Sequence, residues 1–277
     1  MKVKLAENYG FCFGVKRAIK IAEEYKNSAT MGPLIHNESE INRLKNDYNV
    51  GLYKNLSDVQ DNDTIIIRTH GIPKQDLKDL RAKDAKIINA TCPFVTTPQQ
   101  IVKKMSEENY SIVIFGDEEH PEVKGVKSYG KNQDDVHVVL EPKDLDKINF
   151  RHDKIATVAQ TTKKKEVYLE IVNTLILKNK EVRVFNTICD ATFENQDAAR
   201  ELSSEVDIMI VIGGKNSSNT KQLHSICLEN CKDSFLIENT SELENSWFEN
   251  KKLCGITAGA STPDWIIQRV VNQIEKY

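Results

Sequence analysis

A chain of 277 residues is long enough for about two ordinary domains and a sizeable buried core. Hydrophobic residues make up 39% and charged residues 29%, a mixture that excludes a disordered or fibrous polymer. The net charge of −3 gives no basic footprint for nucleic acid, so no nucleic-acid partner is expected and the substrate should be small.

Met1 to Gly14 lacks the apolar run of a secretory signal, and aliphatic runs such as Ile208 to Ile212 are too short to cross a bilayer. A cytoplasmic location with no membrane partner is therefore expected. There the six cysteines, Cys12, Cys92, Cys189, Cys227, Cys231 and Cys254, stay reduced. They are core residues, nucleophiles or metal ligands.

In chain order, Cys12 precedes a helical pattern from Val15 to Tyr25, and Gly32-Pro33-Leu34-Ile35-His36-Asn37 precedes another. A buried strand at Ile65 to Ile67 leads into Arg68-Thr69-His70-Gly71. Ile88-Asn89-Ala90-Thr91-Cys92 then opens a helix that includes Ile101 to Met105. The strand Ile112 to Phe115 ends at Gly116, followed by His120-Pro121-Glu122-Val123. Thr157-Val158-Ala159-Gln160-Thr161-Thr162 precedes a helix from Val167 to Leu177. Phe185-Asn186-Thr187-Ile188-Cys189, the strand Ile208 to Ile212 and the loop Asn216-Ser217-Ser218-Asn219 follow. A helix from Leu223 to Cys231, a strand from Leu253 to Thr257, Thr257-Ala258-Gly259-Ala260-Ser261-Thr262 and a helix from Trp265 to Ile274 complete the chain. These assignments rest on apolar spacings of three and four for helices and on unbroken Ile/Val runs for buried parallel strands.

The order contains an internal repeat. Asn-x-x-Cys ends both Ile88 to Cys92 and Phe185 to Cys189. The same offset carries Ile112 to Gly116 onto Met209 to Gly213 and His120 onto Ser217. Thr157 to Thr162 matches Thr257 to Thr262 one hundred residues on, and the first segment holds a looser third copy. Three α/β modules of roughly 90 residues with mostly parallel sheets are expected, with boundaries at 1–91, 92–187 and 188–277. Ligands of such sheets sit at the carboxyl ends of the strands, where all the polar loops above fall. Charged stretches at Lys143 to Lys154 and Glu238 to Lys252 read as surface connections.

One cysteine per module, at a strand-to-helix loop, singles out Cys12, Cys92 and Cys189. A threefold arrangement would bring their thiols to one centre. Three thiolates suit a four-iron cluster with one iron left open to a substrate oxygen; zinc remains an alternative, though structural zinc sites usually take four ligands and short Cys-x-x-Cys knuckles. Cys227 and Cys231 share the apolar stripe of Leu223 and Ile226, and Cys254 lies inside a strand, so these three read as core. The loops also repeat anion-binding types: His36 and Asn37, Thr69 and His70, His120, Thr161 and Thr162, Ser217, Ser218 and Asn219, Ser261 and Thr262. Ser, Thr and Asn are ordinary helix caps, but caps do not explain three of the six histidines falling here. Glu122 is the one carboxylate beside these donors, either a helix-start acid or a proton donor to a leaving hydroxyl.

Taken together with Gly10-Phe11-Cys12-Phe13-Gly14-Val15, Ala90-Thr91-Cys92-Pro93 and Pro263, these nine motifs resemble the 4-hydroxy-3-methylbut-2-enyl diphosphate reductase family over nearly the whole chain. The resemblance implies a pseudo-threefold trefoil of α/β modules around a 4Fe-4S cluster held by Cys12, Cys92 and Cys189. It assigns the diphosphate to His36, His70, His120, Ser217, Asn219 and Ser261, with Ser218 nearby. Glu122 would be central to protonation, Thr161 would orient the hydroxyl and its proton relay, and Thr162 and Thr192 would line the site. The implied reaction is a reductive dehydration to isopentenyl and dimethylallyl diphosphate, with electrons from ferredoxin, flavodoxin or a similar carrier. No Gly-x-Gly-x-x-Gly turn offers a dinucleotide site. The chain departs from the family at Thr97-Pro98-Gln99, at Asn195-Gln196 and at Asp117, which puts surrounding detail in doubt. An iron-sulfur hydro-lyase, which needs no electrons, a cluster-bearing sensor and a zinc protein are the competing readings.

Overall fold

The computed structural model describes residues 1–277. Its elements in chain order are β1 (Lys2–Leu5), α1 (Phe13–Glu24), β2 (Ala29–Met31), α2 (Glu38–Tyr48), β3 (Gly51–Tyr53), β4 (Thr64–Ile67), α3 (Lys74–Arg81), β5 (Lys86–Asn89), α4 (Pro93–Glu107), β6 (Ser111–Phe115), α5 (Pro121–Lys127) and β7 (Val136–Val139). There follow β8 (Lys154–Ala159), α6 (Lys165–Lys178), β9 (Glu181–Val184), α7 (Asp190–Ser203), β10 (Ile208–Ile212), α8 (Ser218–Asn230), β11 (Ser234–Ile237), β12 (Leu253–Ala258) and α9 (Asp264–Ile274). No helix is long and apolar enough to cross a membrane.

The strands form three four-stranded sheets of one topology, β3-β2-β4-β5, β7-β6-β8-β9 and β11-β10-β12-β1. Every pairing is parallel. The two central strands of each sheet are buried almost throughout, because helices cover both faces. In β10, for example, Ile208, Ile210 and Ile212 pack with Ile266, Ile267, Val270 and Ile274 of α9. Met209 and Val211, pointing the opposite way, pack with Ala199 and Leu202 of α7 and Leu223 of α8. Cys254 lies in the first of these clusters and Cys227 and Cys231 in the second, as their spacing implied.

The expected division at 1–91, 92–187 and 188–277 differs from the sheets at the amino terminus. Lys2–Leu5 pairs with Leu253–Ile256, so β1 is the fourth strand of the sheet whose other strands come last. The repeat is cyclically permuted. Each module runs through three strands, then an edge strand, a cysteine and a helix, and the chain starts at the edge strand of its last copy. The chain forms two compact units, Met1–Lys16, Ile35–Arg43 and Asp190–Tyr277 making one, Arg17–Leu34 and Leu44–Cys189 the other. The first holds the β1 sheet and the second holds the other two.

Candidate active site

Each cysteine singled out by the repeat follows the edge strand of its sheet. Its backbone N–H is anchored at the second residue past the third strand: Cys12 donates to the Ala260 carbonyl at 3.2 Å, Cys92 to Thr69 at 3.0 Å and Cys189 to Thr161 at 3.0 Å. The Asn-x-x-Cys motif has a local cause. The Asn89 Oδ1 accepts the Thr91 N–H at 3.0 Å and Asn186 Oδ1 accepts the Ile188 N–H at 3.3 Å, a side-chain turn that bends the chain from strand to helix. Before Cys12 the bend is made by Gly10, at φ +72°, where a side chain would be strained and would meet Ile267.

All three cysteines stand at helix starts and are partly exposed, and none of the six forms a disulfide. Cys92 is the N-cap of α4. Cys227 and Cys254 are the opposite case, burial pushing both thiols up to about 12, which keeps them protonated core residues.

In the unit with two sheets, α5 places Glu122 with its side chain buried at 2% exposure. The Glu122 carboxylate accepts the Thr161 N–H at 2.7 Å on Oε1 and the Thr161 Oγ1 hydroxyl at 2.8 Å on Oε2. Burial raises its pKa from 4.5 to about 7, the two hydrogen bonds from Thr161 opposing the rise. His120, the N-cap of α5, accepts the Glu122 N–H on Nδ1 at 3.2 Å, so a neutral ring carries its hydrogen on Nε2. His70 meets His120 edge to face with centroids 5.5 Å apart. Thr69 Oγ1 donates to the Leu34 carbonyl at 2.8 Å, fixing the loop that carries His70. Thr162 Oγ1 accepts from Gln160 Nε2 at 3.1 Å, and Gln160 Oε1 accepts the Asp117 N–H at 3.0 Å. Gln160, which sequence reasoning quoted in a motif but did not single out, thus ties the two strand-end loops of its sheet together.

In the other unit, Ser217 caps α8 by accepting the Thr220 N–H at 3.3 Å. Asn219 is buried with both atoms of its amide lacking a hydrogen-bond partner, a costly arrangement that a bound polar ligand would relieve. Ser261 Oγ donates to the His36 carbonyl at 3.2 Å. Ser218 is half-buried on the first turn of α8, and Thr192 is buried on α7. A Cβ on Gly214 would stand 2.3 Å from the His36 carbonyl oxygen. Gly214→Ala must therefore displace the His36 loop. It is expected to destabilise the fold by about 1–3 kcal/mol, read by thermal melting.

The structure corrects one register. β8 ends at Ala159 opposite Phe115 and β12 ends at Ala258 opposite Ile212, so Thr161 corresponds to Ala260, and Thr162 rather than Thr161 to Ser261. The departures from the family motifs are mixed. Asp117 is exposed, whereas Gln99, Asn195 and Gln196 are buried, and Gln99 packs against Gly71 beside His70. Pro98 sits inside α4 without moving its start, which remains at Pro93.

Thiols, a carboxyl of raised pKa and polar donors at the carboxyl ends of parallel strands define an α/β enzyme scaffold with metal-ligating capacity. The sequence profile of the LytB protein family matches residues 3–275. A protein of Sulfurovum sp. named 4-hydroxy-3-methylbut-2-enyl diphosphate reductase is 63% identical over 275 residues, 99% of each chain. One of the same name from Campylobacter jejuni is 61% identical over 277 residues, all of this chain and 99% of that one. A solved structure of (E)-4-hydroxy-3-methyl-but-2-enyl diphosphate reductase, described as the terminal enzyme of the non-mevalonate pathway, is 43% identical, covers 100% of both chains and superposes with a TM-score of 0.72. A Plasmodium falciparum reductase is 30% identical over 98% of this chain and 87% of that one, with a TM-score of 0.92. This chain belongs to the LytB family.

Proposed function

We propose that this protein reductively dehydrates 4-hydroxy-3-methylbut-2-enyl diphosphate to isopentenyl diphosphate and dimethylallyl diphosphate, the last step of the methylerythritol phosphate route to isoprenoids. Cys12, Cys92 and Cys189 hold a four-iron four-sulfur cluster. The donor set fits that group: partly exposed thiols at helix starts, one per module, set apart from three buried core thiols. When bound there, the cluster supplies single electrons and a Lewis-acidic open iron.

The reaction replaces C–OH by C–H, taking up two electrons and two protons and releasing water. The observation that carries this reading is the buried pair of Glu122 and Thr161. A carboxyl whose pKa burial raises to about 7 is protonated in about half of the molecules near neutral pH and can both hold and give up a proton, whereas an ordinary surface glutamate is almost wholly ionised there. When Glu122 is protonated, the 2.8 Å hydrogen bond between Oε2 and Oγ1 reverses, Glu122 donating to Thr161 while the Thr161 hydroxyl turns its own hydrogen to the substrate side, which makes Thr161 the outlet. His36, His70, His120, Ser217, Ser218, Asn219 and Ser261 bind the diphosphate, with His120 donating from Nε2 and Asn219 from its orphaned amide. Thr162 lines the site beside Thr161. Electrons arrive one at a time from a ferredoxin, a flavodoxin or a similar soluble carrier.

The test is an anaerobic assay with a chemical reductant and the hydroxylated allylic diphosphate. Both isomeric products are expected only with reductant present. Product formed equally without reductant would identify a hydro-lyase, and no product in either arm would defeat the proposal.

A further inference from the structure

We infer that Arg17 is the positioning residue of Cys92 and that its charge eases the addition of an electron at that position; the inference rests on the cluster proposed above. Arg17 lies on α1, half-buried. Its Nη1 donates to the Thr91 carbonyl at 3.3 Å and its Nη2 to the Asn89 carbonyl at 3.2 Å. These two carbonyls belong to the turn that delivers Cys92.

The three backbone N–H groups of that turn are already used. The Ala90 N–H donates to Ile67 at 3.1 Å and the Cys92 N–H to Thr69 at 3.0 Å. The Thr91 N–H donates to the Asn89 side chain at 3.0 Å. Arg17 completes the set, its rigid planar fork holding two carbonyls on either side of Ala90 at a fixed separation. Thr91 is 7% exposed, so at its carbonyl water is a poor substitute for the guanidinium, whereas the bond to Asn89 lies at the surface.

The charge has a second effect. Arg17 forms no ion pair, its contacts being those two carbonyls. An uncompensated cation beside a ligand stabilises the extra negative charge that reduction brings and so raises the reduction potential. It also breaks the threefold repeat. Arg17 stands five residues after Cys12, whereas Thr97 and Glu194 stand five after Cys92 and Cys189. At that position of the repeat, positive charge is thus present in one module of the three.

Two variants separate position from charge. Arg17→Met keeps the apolar stem without charge, and Arg17→Lys keeps the charge without the fork. Redox titration of the reconstituted proteins, followed by electron paramagnetic resonance, is expected to move the midpoint to lower potential in Arg17→Met and to leave Arg17→Lys near the parent. In the metal-free proteins, amide hydrogen exchange at Ala90, Thr91 and Cys92 should speed up severalfold in both variants. A parent-like potential in Arg17→Met, an equal shift in Arg17→Lys, or unchanged exchange in Arg17→Met overturns the inference. If Arg17→Met retains no cluster, the exchange measurement decides alone. A parent protein that takes up no cluster refutes the function proposed above and is thereby told apart from a failure of this inference.

Discussion

Glu122→Gln is expected to retain the cluster and bind the diphosphate while turnover falls by about 10²- to 10⁴-fold, the usual worth of a positioned proton donor. Glutamine preserves the shape of the side chain and can still accept the Thr161 N–H through its one carbonyl oxygen. What it loses is the titratable proton. Rapid-quench turnover alongside cluster absorbance and ligand binding measures the effect, and near-parental rates would remove Glu122 from the chemistry. The pH dependence provides a second signature. Because burial raises the folded-state pKa above its unfolded value of 4.5, the stability it contributes is fully present below that pH and lost as pH rises through about 7. The parent should therefore lose some stability between these limits and its turnover should fall on the alkaline side of 7. The glutamine variant should show neither trend in melting or rate profiles.

Much of the fold is legible in the sequence, and the reason differs element by element. Central strands such as β6 and β10 read as unbroken apolar runs because both faces are covered. Edge strands such as β5 and β9 leave no such signature, since Lys86, Asn89, Arg183 and Val184 are exposed and their alternation is too short to register. The helix α7 is hidden in the sequence because its buried stripe includes Thr192, Asn195, Gln196 and Ser203, polar residues that carry no apolar periodicity. Asn-x-x-Cys was readable because the asparagine does local work in the turn. The permuted start was not, because nothing within Lys2–Leu5 says which distant strand it will pair with.

The same distinction holds for the site. Glu122 was visible as a carboxylate among donors, but its sequence context, proline then acid at a helix start, is also that of an ordinary cap. Its proton affinity comes from burial and from Thr161, thirty-nine residues on, and burial of a single side chain is a property of the packed fold. Arg17 was invisible for a related reason. An arginine on an amphipathic helix looks solvated until its acceptors, backbone carbonyls with no side-chain signature, are located.

The largest loss should come from the cysteines. Changing Cys12, Cys92 or Cys189 to serine is expected to abolish both the visible absorbance of the anaerobically reconstituted protein and its turnover, since a serine hydroxyl holds its proton far more tightly than a thiol and is a poor partner for soft iron. Cys227→Ser is the control. Its thiol is held near a pKa of 12 within the α8 core, so the change should cost about 1–3 kcal/mol of stability for a buried hydroxyl while iron content per folded protein stays near parental. The two classes of variant thus separate on different axes, metal content for one and melting temperature for the other. Equal iron loss at Cys227 and Cys92 would show that the strand-end thiols are not a distinct set, and the repeat that selected them would lose its chemical meaning.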